Sequence, residues 1–419
     1  MKLNIFQFLD KSPSAFHAAA NACQMLQDAG YEQLDEASHW QLKSGKGYFV
    51  TRNQSSVIAF QYHGKTTGGF RLVTGHTDSP APKLKLAGAS FSNGSVRVPI
   101  QIYGGDIHTS WQDRPLGVAG RIAFLDAKKQ AKTALVNINR PVAVIPNLAI
   151  HLNHGVNNGL ALNPQSQMAA LFAGKSVDEL VAELAKAAKQ KIDTILDAEL
   201  FLYDIQPATV VGLDNSLISS PRLDNLTSCH AAVCGLIDAK PAKGITPVIF
   251  LADNEEIGSR TPQGANSTYL HTVMDRITLA AKGTQEDTYR AMAASAMLSI
   301  DSAHAVHPNF ADKHDSAYAP KMNQGIVVKH NADFKYATTS ETASRFRALC
   351  MKHGIKLQDF VNRYDMPCGS TIGPTCSAEL GVPGLDIGSA LWAMHSCREI
   401  GGLKDHDDLI KAANAFLSE

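Results

Sequence analysis

The sequence predicts an α/β fold in which helices flank a central mixed β-sheet, with a β-rich body inserted between two halves of the α/β part. Three observations carry this expectation. Apolar runs at 70–75, 245–251 and 297–300 have the length of buried strands and are set apart by helix-like stretches. Each run ends abruptly in a titratable side chain. Residues 87–215 differ in character, with short alternating segments and turns in place of long apolar runs.

Taken in order, Ser12-Pro13 opens a helix that Gly30 closes, and Phe16, Ala20, Cys23, Met25 and Leu26 form its apolar stripe. His17 within it reads as a packing histidine. Strands follow at 47–52 and 56–61, joined by the turn residues Asn53 and Gln54. The run 70–75 then delivers His76-Thr77-Asp78. In the insertion, Val96 to Ile102 and Val118 to Phe124 read as strands, and Pro141 to Pro146 is short and apolar. His151 and His154 lie in a polar loop. Ser176 to Lys191 is a helix, with acids early and lysines late as its dipole prefers. The α/β part resumes at Ser220, with a helix over Leu226 to Ile237 capped near Asp224 or Asn225. Cys368 to Pro374 reads as a glycine-rich turn, and the apolar run from Leu385 to Met394 delivers His395. The expected division is 1–86 with 216–419 for one domain and 87–215 for the other.

Composition narrows the function classes. Thirty-nine basic residues balance thirty-nine acidic ones, so no global field favours nucleic acid or an anionic membrane. No apolar stretch is long enough to span a bilayer, and polar residues interrupt the first ten before a signal-peptide core can form. The seven cysteines are scattered without a CxxC pair, which predicts reduced thiols in a cytoplasm.

The chemistry centres on Asp253-Asn254-Glu255-Glu256-Ile257-Gly258. Neighbouring side chains on a strand face opposite ways, so two adjacent carboxylates converge only where the strand breaks into a loop. His76, Glu256, Asp301 and His395 each stand at or just beyond an apolar run. In open α/β sheets, ligands bind beyond the carboxyl ends of the strands. Two imidazoles with several carboxylates suit zinc or a similar divalent ion, with cobalt and manganese also compatible. Five ligands exceed one tetrahedral zinc with an open position; they suit two ions if a carboxylate bridges, and Asp224 is the best candidate. Glu255 is then free to take a proton from water and pass it to a leaving amine. Asp78, two residues from His76, can accept its second N–H and fix the tautomer.

The segments Gly75 to Pro80, Pro221 to Asn225, Asp253 to Ser259, Asp301 to Asn309 and Met394 to Glu399 resemble the aspartyl aminopeptidase family of dinuclear zinc exopeptidases. The resemblance extends from Ser12 to the C-terminal helix. It implies that His76, Asp224 and Asp301 hold one zinc, that Asp224, Glu256 and His395 hold the other, and that Glu255 is the base. It further implies that the insertion mediates dimers, that dimers build a tetrahedral dodecamer, and that His151 reaches a neighbour's site. Lys329 and Tyr336 match a segment lining the substrate pocket. The expected substrates are short peptides with a free N-terminus, with Asp or Glu preferred there. Two other readings use the same residues: a dinuclear deacylase or carboxypeptidase acting on N-acyl substrates, and a non-catalytic peptide-binding shell with structural metal.

Overall fold

The computed structural model describes residues 3–190, 192 and 194–419. Met1, Lys2, Lys191 and Asp193 lie outside the described residues, so the expected end of the helix at Lys191 does too. Described strands form three sheets. The largest runs, edge to edge, through Glu32–Gln33, Lys46–Arg52, Ser56–Tyr62, Thr246–Ala252, Phe70–His76, Ala296–Ile300, Gly384–Gly388, Ile326–His330 and Leu357–Val361. It is mixed. Its four middle strands, 246–252, 70–76, 296–300 and 384–388, are mutually parallel and point their carboxyl ends to one rim.

Alternation along these strands sorts side chains onto two faces. Val73, Ile249, Leu251 and Leu298 pack with the helices Ala15–Asp28, Leu223–Ile237 and Leu403–Ser418. Leu72, Val248, Phe250 and Met297 face the opposite way and pack with Tyr269–Ala280 and Ile372–Leu380. A sheet covered on both sides needs strands that are apolar throughout. All seven residues of Thr246–Ala252 are buried.

The second sheet is antiparallel, in the order Ser90–Ser92, Ser95–Val98, Ala170–Ala173, Ala131–Val144, Leu116–Leu125, Thr194–Asp204, Ala81–Leu84 and Ile100–Tyr103. It has a separate apolar core around Val118, Ile122, Val136 and Leu200, closed by Leu180 and Leu184 of the helix Val177–Ala187. A third sheet joins Thr209–Val211, Leu217–Ser220, Glu399–Gly402, Ala390–Trp392 and Ala303–His304.

Some local expectations are revised. Pro141 to Val144 is the tail of a fourteen-residue strand. The strand expected over Val96 to Ile102 is broken at Pro99 into Ser95–Val98 and Ile100–Tyr103. Residues 368–374 are a turn only as far as Thr371, which caps the helix Ile372–Leu380 by accepting the Gly373 N–H. The run from Leu385 is shared between two sheets, breaking at Ser389.

That break lies where two elements nearly touch. A Cβ at Gly388 would stand 1.7 Å from the Asp301 carbonyl oxygen. Gly388→Ala should therefore lower unfolding stability by at least about 1–3 kcal/mol, the usual cost of overpacking. Denaturant unfolding checks this, and a midpoint equal to the parent's would contradict the close approach.

Candidate active site

The rim of the parallel strands collects the titratable residues. His76 is the last residue of its strand and pairs in register with Ala252. The neighbouring chain then turns through Asn254, at φ 64°, into the short 3-10 turn Glu255–Ile257. Asp301 follows Ala296–Ile300 directly, its N–H bonded to the Ile387 carbonyl. Asp224 lies in the irregular first turn of Leu223–Ile237, and His395 follows Ala390–Trp392 at φ 67°.

Asp224 stands between two groups. Its Oδ1 is 3.5 Å from His76 Nε2, which is also 3.5 Å from Asp301 Oδ1. Its Oδ2 is 3.4 Å from His395 Nε2, which is 3.4 Å from Glu256 Oε2. His76, Asp224 and Asp301 thus offer three ligand atoms within 4.8 Å of one another, and so do Asp224, Glu256 and His395. A third such group is His76, Glu255 and Glu256. Asp224 Oδ1 and Glu256 Oε1 are buried without a hydrogen-bond partner. An unpaired buried carboxylate oxygen is costly unless a cation meets it, so this donor set fits a divalent metal.

The electrostatics agree. Burial pushes Glu255 up to about 8, with Asp301, Asp78 and Asp224 adding to the push against His76. Burial followed by the Asp224 charge also drives Glu256 well above the usual carboxylate range. Burial alone would lower His76, but Asp224, Asp301 and Asp78 outweigh it and hold the imidazole well above its ordinary value. Burial likewise opposes protonation of His395, yet Asp224 and Glu256 raise it to about 10. Carboxylates crowded this closely stabilise any positive charge placed among them.

The supporting bonds are specific. Asp78 Oδ1 accepts the Glu255 N–H and Oδ2 the Glu256 N–H, each at 3.1 Å. Asp78 also lies 3.3 Å from His76 Nδ1. Glu399 accepts the His395 N–H at 2.8 Å and the Asp224 N–H at 3.0 Å. No local pattern in the sequence marks Glu399; its one signal there is its place at the end of the Met394 to Glu399 segment.

Of the remaining candidates, Lys329 lies behind Asp301 with Tyr336 beside it, and His151 stands apart from the centre. A cleft of about 430 Å³ opens over Asp78, Asp224 and His395, walled by Tyr103 and Phe201 of the second sheet. Lys329 and Tyr336 are not among its lining residues. Lys329 is 2 % exposed; its Nζ donates to the Ser302 carbonyl at 3.0 Å, lies 3.9 Å from Asp301 Oδ2 and sits 5.0 Å from the Tyr336 ring centre. His151 lies on the exposed turn Ile150–Leu152, outside the cleft of its own chain.

Residues 8–417 match the family model described as Aminopeptidase I zinc metalloprotease (M18). The chain belongs to the M18 family of zinc aminopeptidases. It is 42 % identical over 423 residues to a probable M18 family aminopeptidase 2 of Stutzerimonas stutzeri, covering 99 % of this chain and 97 % of the relative. A relative of the same description from Azotobacter vinelandii is also 42 % identical, over 424 residues, with 99 % and 97 % covered. Among solved structures, the Ape4 and Nbr1 complex aligns with a TM-score of 0.93 at 34 % identity, covering 99 % of this chain and 84 % of that one. The S. cerevisiae mApe1 dodecamer aligns at 0.86 and 27 % identity, covering 98 % and 95 %. As an M18 member the chain is a zinc-dependent hydrolase acting as an exopeptidase.

Proposed function

We propose that this aminopeptidase removes the first residue of short peptides with a free α-amino group, preferring Asp or Glu there, through two cation sites that share Asp224. The observation that carries the reading is the two-sided placement of Asp224, with His76 and Asp301 on one side and Glu256 and His395 on the other. In this reading His76, Asp224 and Asp301 would hold one ion, and Asp224, Glu256 and His395 would hold the second. Divalent ions there, zinc foremost with cobalt or manganese compatible, would supply Lewis-acid polarisation of the scissile carbonyl and a lowered pKa for the attacking water.

The chain's own groups do the rest. Glu255 stands beside both ligand groups and is outside the two sets that contain Asp224. It takes the proton from the attacking water and delivers it to the leaving amine. Asp78 holds the backbone on which Glu255 and Glu256 ride and orients His76. Glu399 holds the backbones of His395 and Asp224.

Three finer assignments belong to the same proposal. The buried Lys329 ammonium, with Tyr336 beside it, supplies positive charge behind Asp301 and favours an acidic first residue. Residues 87–215 form an inserted body that mediates dimers, and dimers assemble into a tetrahedral dodecamer in which His151 reaches a neighbour's site. The exposed Leu148, Ile150 and Leu152 around His151, and the dodecameric S. cerevisiae relative, support that assembly. A cytoplasmic location fits the seven cysteines, which form no disulfide among the described residues. No described helix is long and apolar enough to cross a membrane.

The zinc-loaded enzyme should cleave an Asp-initiated peptide and spare its N-acetylated form. Glu255→Gln should keep near-parent zinc content while kcat falls about 10²–10⁴-fold, the usual contribution of a general base. Unchanged turnover would remove Glu255 from that role, and equal cleavage of the acetylated peptide would favour a deacylase. Lys329→Ala should lower kcat/KM on Asp-peptides far more than on Leu-peptides. Equal losses on the two substrates would exclude charge reading by Lys329.

A further inference from the structure

The second sheet reaches into the site through residues 103–107. Tyr103 closes the strand Ile100–Tyr103, and its hydroxyl donates to Asp78 Oδ2 at 2.7 Å while accepting from Asn254 Nδ2 at 2.9 Å. Asn254 Oδ1 in turn accepts from Thr261 Oγ1 at 2.8 Å and Gln263 Nε2 at 2.9 Å. Two residues past Tyr103, the Gly105 carbonyl lies 2.9 Å from His395 Nδ1, and the Ile107 N–H donates to the His395 carbonyl at 3.1 Å. A carbonyl only accepts, so this contact places a proton on Nδ1 and leaves Nε2 as the nitrogen that faces Asp224 and Glu256. Between these contacts Gly104 has φ +76°, and a Cβ there would lie 3.1 Å from Glu256 Cβ and 3.2 Å from Pro80 Cβ.

We propose that residues 103–107 act as a positioning strap through which the β-rich sheet fixes the orientation of Asp78 and His395, with Tyr103 a positioning residue for the base Glu255. The strap rests on the roles proposed above for Glu255 and His395. Asp78 holds the N–H groups of Glu255 and Glu256, so it transmits the Tyr103 hydroxyl bond to the loop carrying the base. The β-rich body is then part of the catalytic geometry as well as a candidate surface for assembly. The Tyr103 ring also packs edge-on against Phe201, with centres 5.7 Å apart. Tyr103→Phe retains that packing and deletes only the hydroxyl.

The test compares the zinc-loaded parent with Tyr103→Phe, Gly104→Ala and Tyr203→Phe on a free-amine peptide, with particle mass and zinc content recorded for each. Tyr203 is on the same sheet, and its hydroxyl bonds Asn137 at 2.7 Å. Tyr103→Phe should lose about 10–100-fold in kcat, as deletions of groups supporting metal ligands do, with KM changed less than about twofold. Gly104→Ala, which presses on Glu256 without removing the hydroxyl, should also lose kcat. Tyr203→Phe should match the parent. Parent-like kcat in both strap variants would overturn the proposal, and so would a loss confined to KM, which marks substrate contact rather than positioning. If Tyr103→Phe loses its fold, Gly104→Ala decides alone. An inactive parent would instead overturn the underlying functional reading, so the two failures are distinguishable.

Discussion

Asp224 is the constraint on which the site depends. Its two oxygens face different imidazoles, and Oδ1 is buried without a hydrogen-bond donor. Asp78, Glu255, Glu256 and Asp301 stand close by, and the charges of Asp224, Asp301 and Asp78 all raise Glu255. Burying several carboxylates together is tolerated only where positive charge and directed hydrogen bonds meet them. His76 and His395 supply part of that charge, and the unpaired oxygens leave room for more. A site of this kind is held together by its scaffold, because its own members repel one another.

The scaffold meets this demand with parallel register. Strands 246–252, 70–76 and 296–300 carry no ligand in their interiors; they are mainly apolar and buried, and the ligands stand at the last paired residue or just beyond it. The paired backbone fixes the distances among side chains that are far apart in sequence. Two carboxylates then complete the arrangement from below: Asp78 holds the Glu255–Glu256 turn, and Glu399 holds Asp224 and His395. Each gives both oxygens to backbone N–H groups, partners that orient a ligand while leaving its side chain free, and Asp78 Oδ2 also accepts the Tyr103 hydroxyl.

How much of this the sequence discloses follows from the range of each interaction. His76, Glu255, Glu256 and Asp301 are legible because each follows an apolar run, a local pattern imposed by burial on both faces of a sheet. Asp224 is legible only from the count of ligands two ions require, since no strand precedes it directly. Glu399 and Tyr103 act through hydrogen bonds to groups distant in the chain, Glu399 to Asp224 across 175 residues, and no local pattern encodes such bonds. The strand Ala131–Val144 was legible only at its apolar end, because residues 131–133 and 139–141 are exposed and polarity there mimics a loop. Lys329 reads as a pocket residue from its match to a family segment. Its burial behind Asp301, in contact with the Ser302 carbonyl, depends on tertiary packing that the segment does not reveal.

The most direct measurement of the central claim is an anomalous-scattering map at the zinc edge from crystals saturated with zinc. Two peaks are expected in each chain on opposite sides of the Asp224 carboxylate, one toward His76 and Asp301 and one toward Glu256 and His395. A single peak at full saturation, or peaks that leave Asp224 uncoordinated, would contradict it.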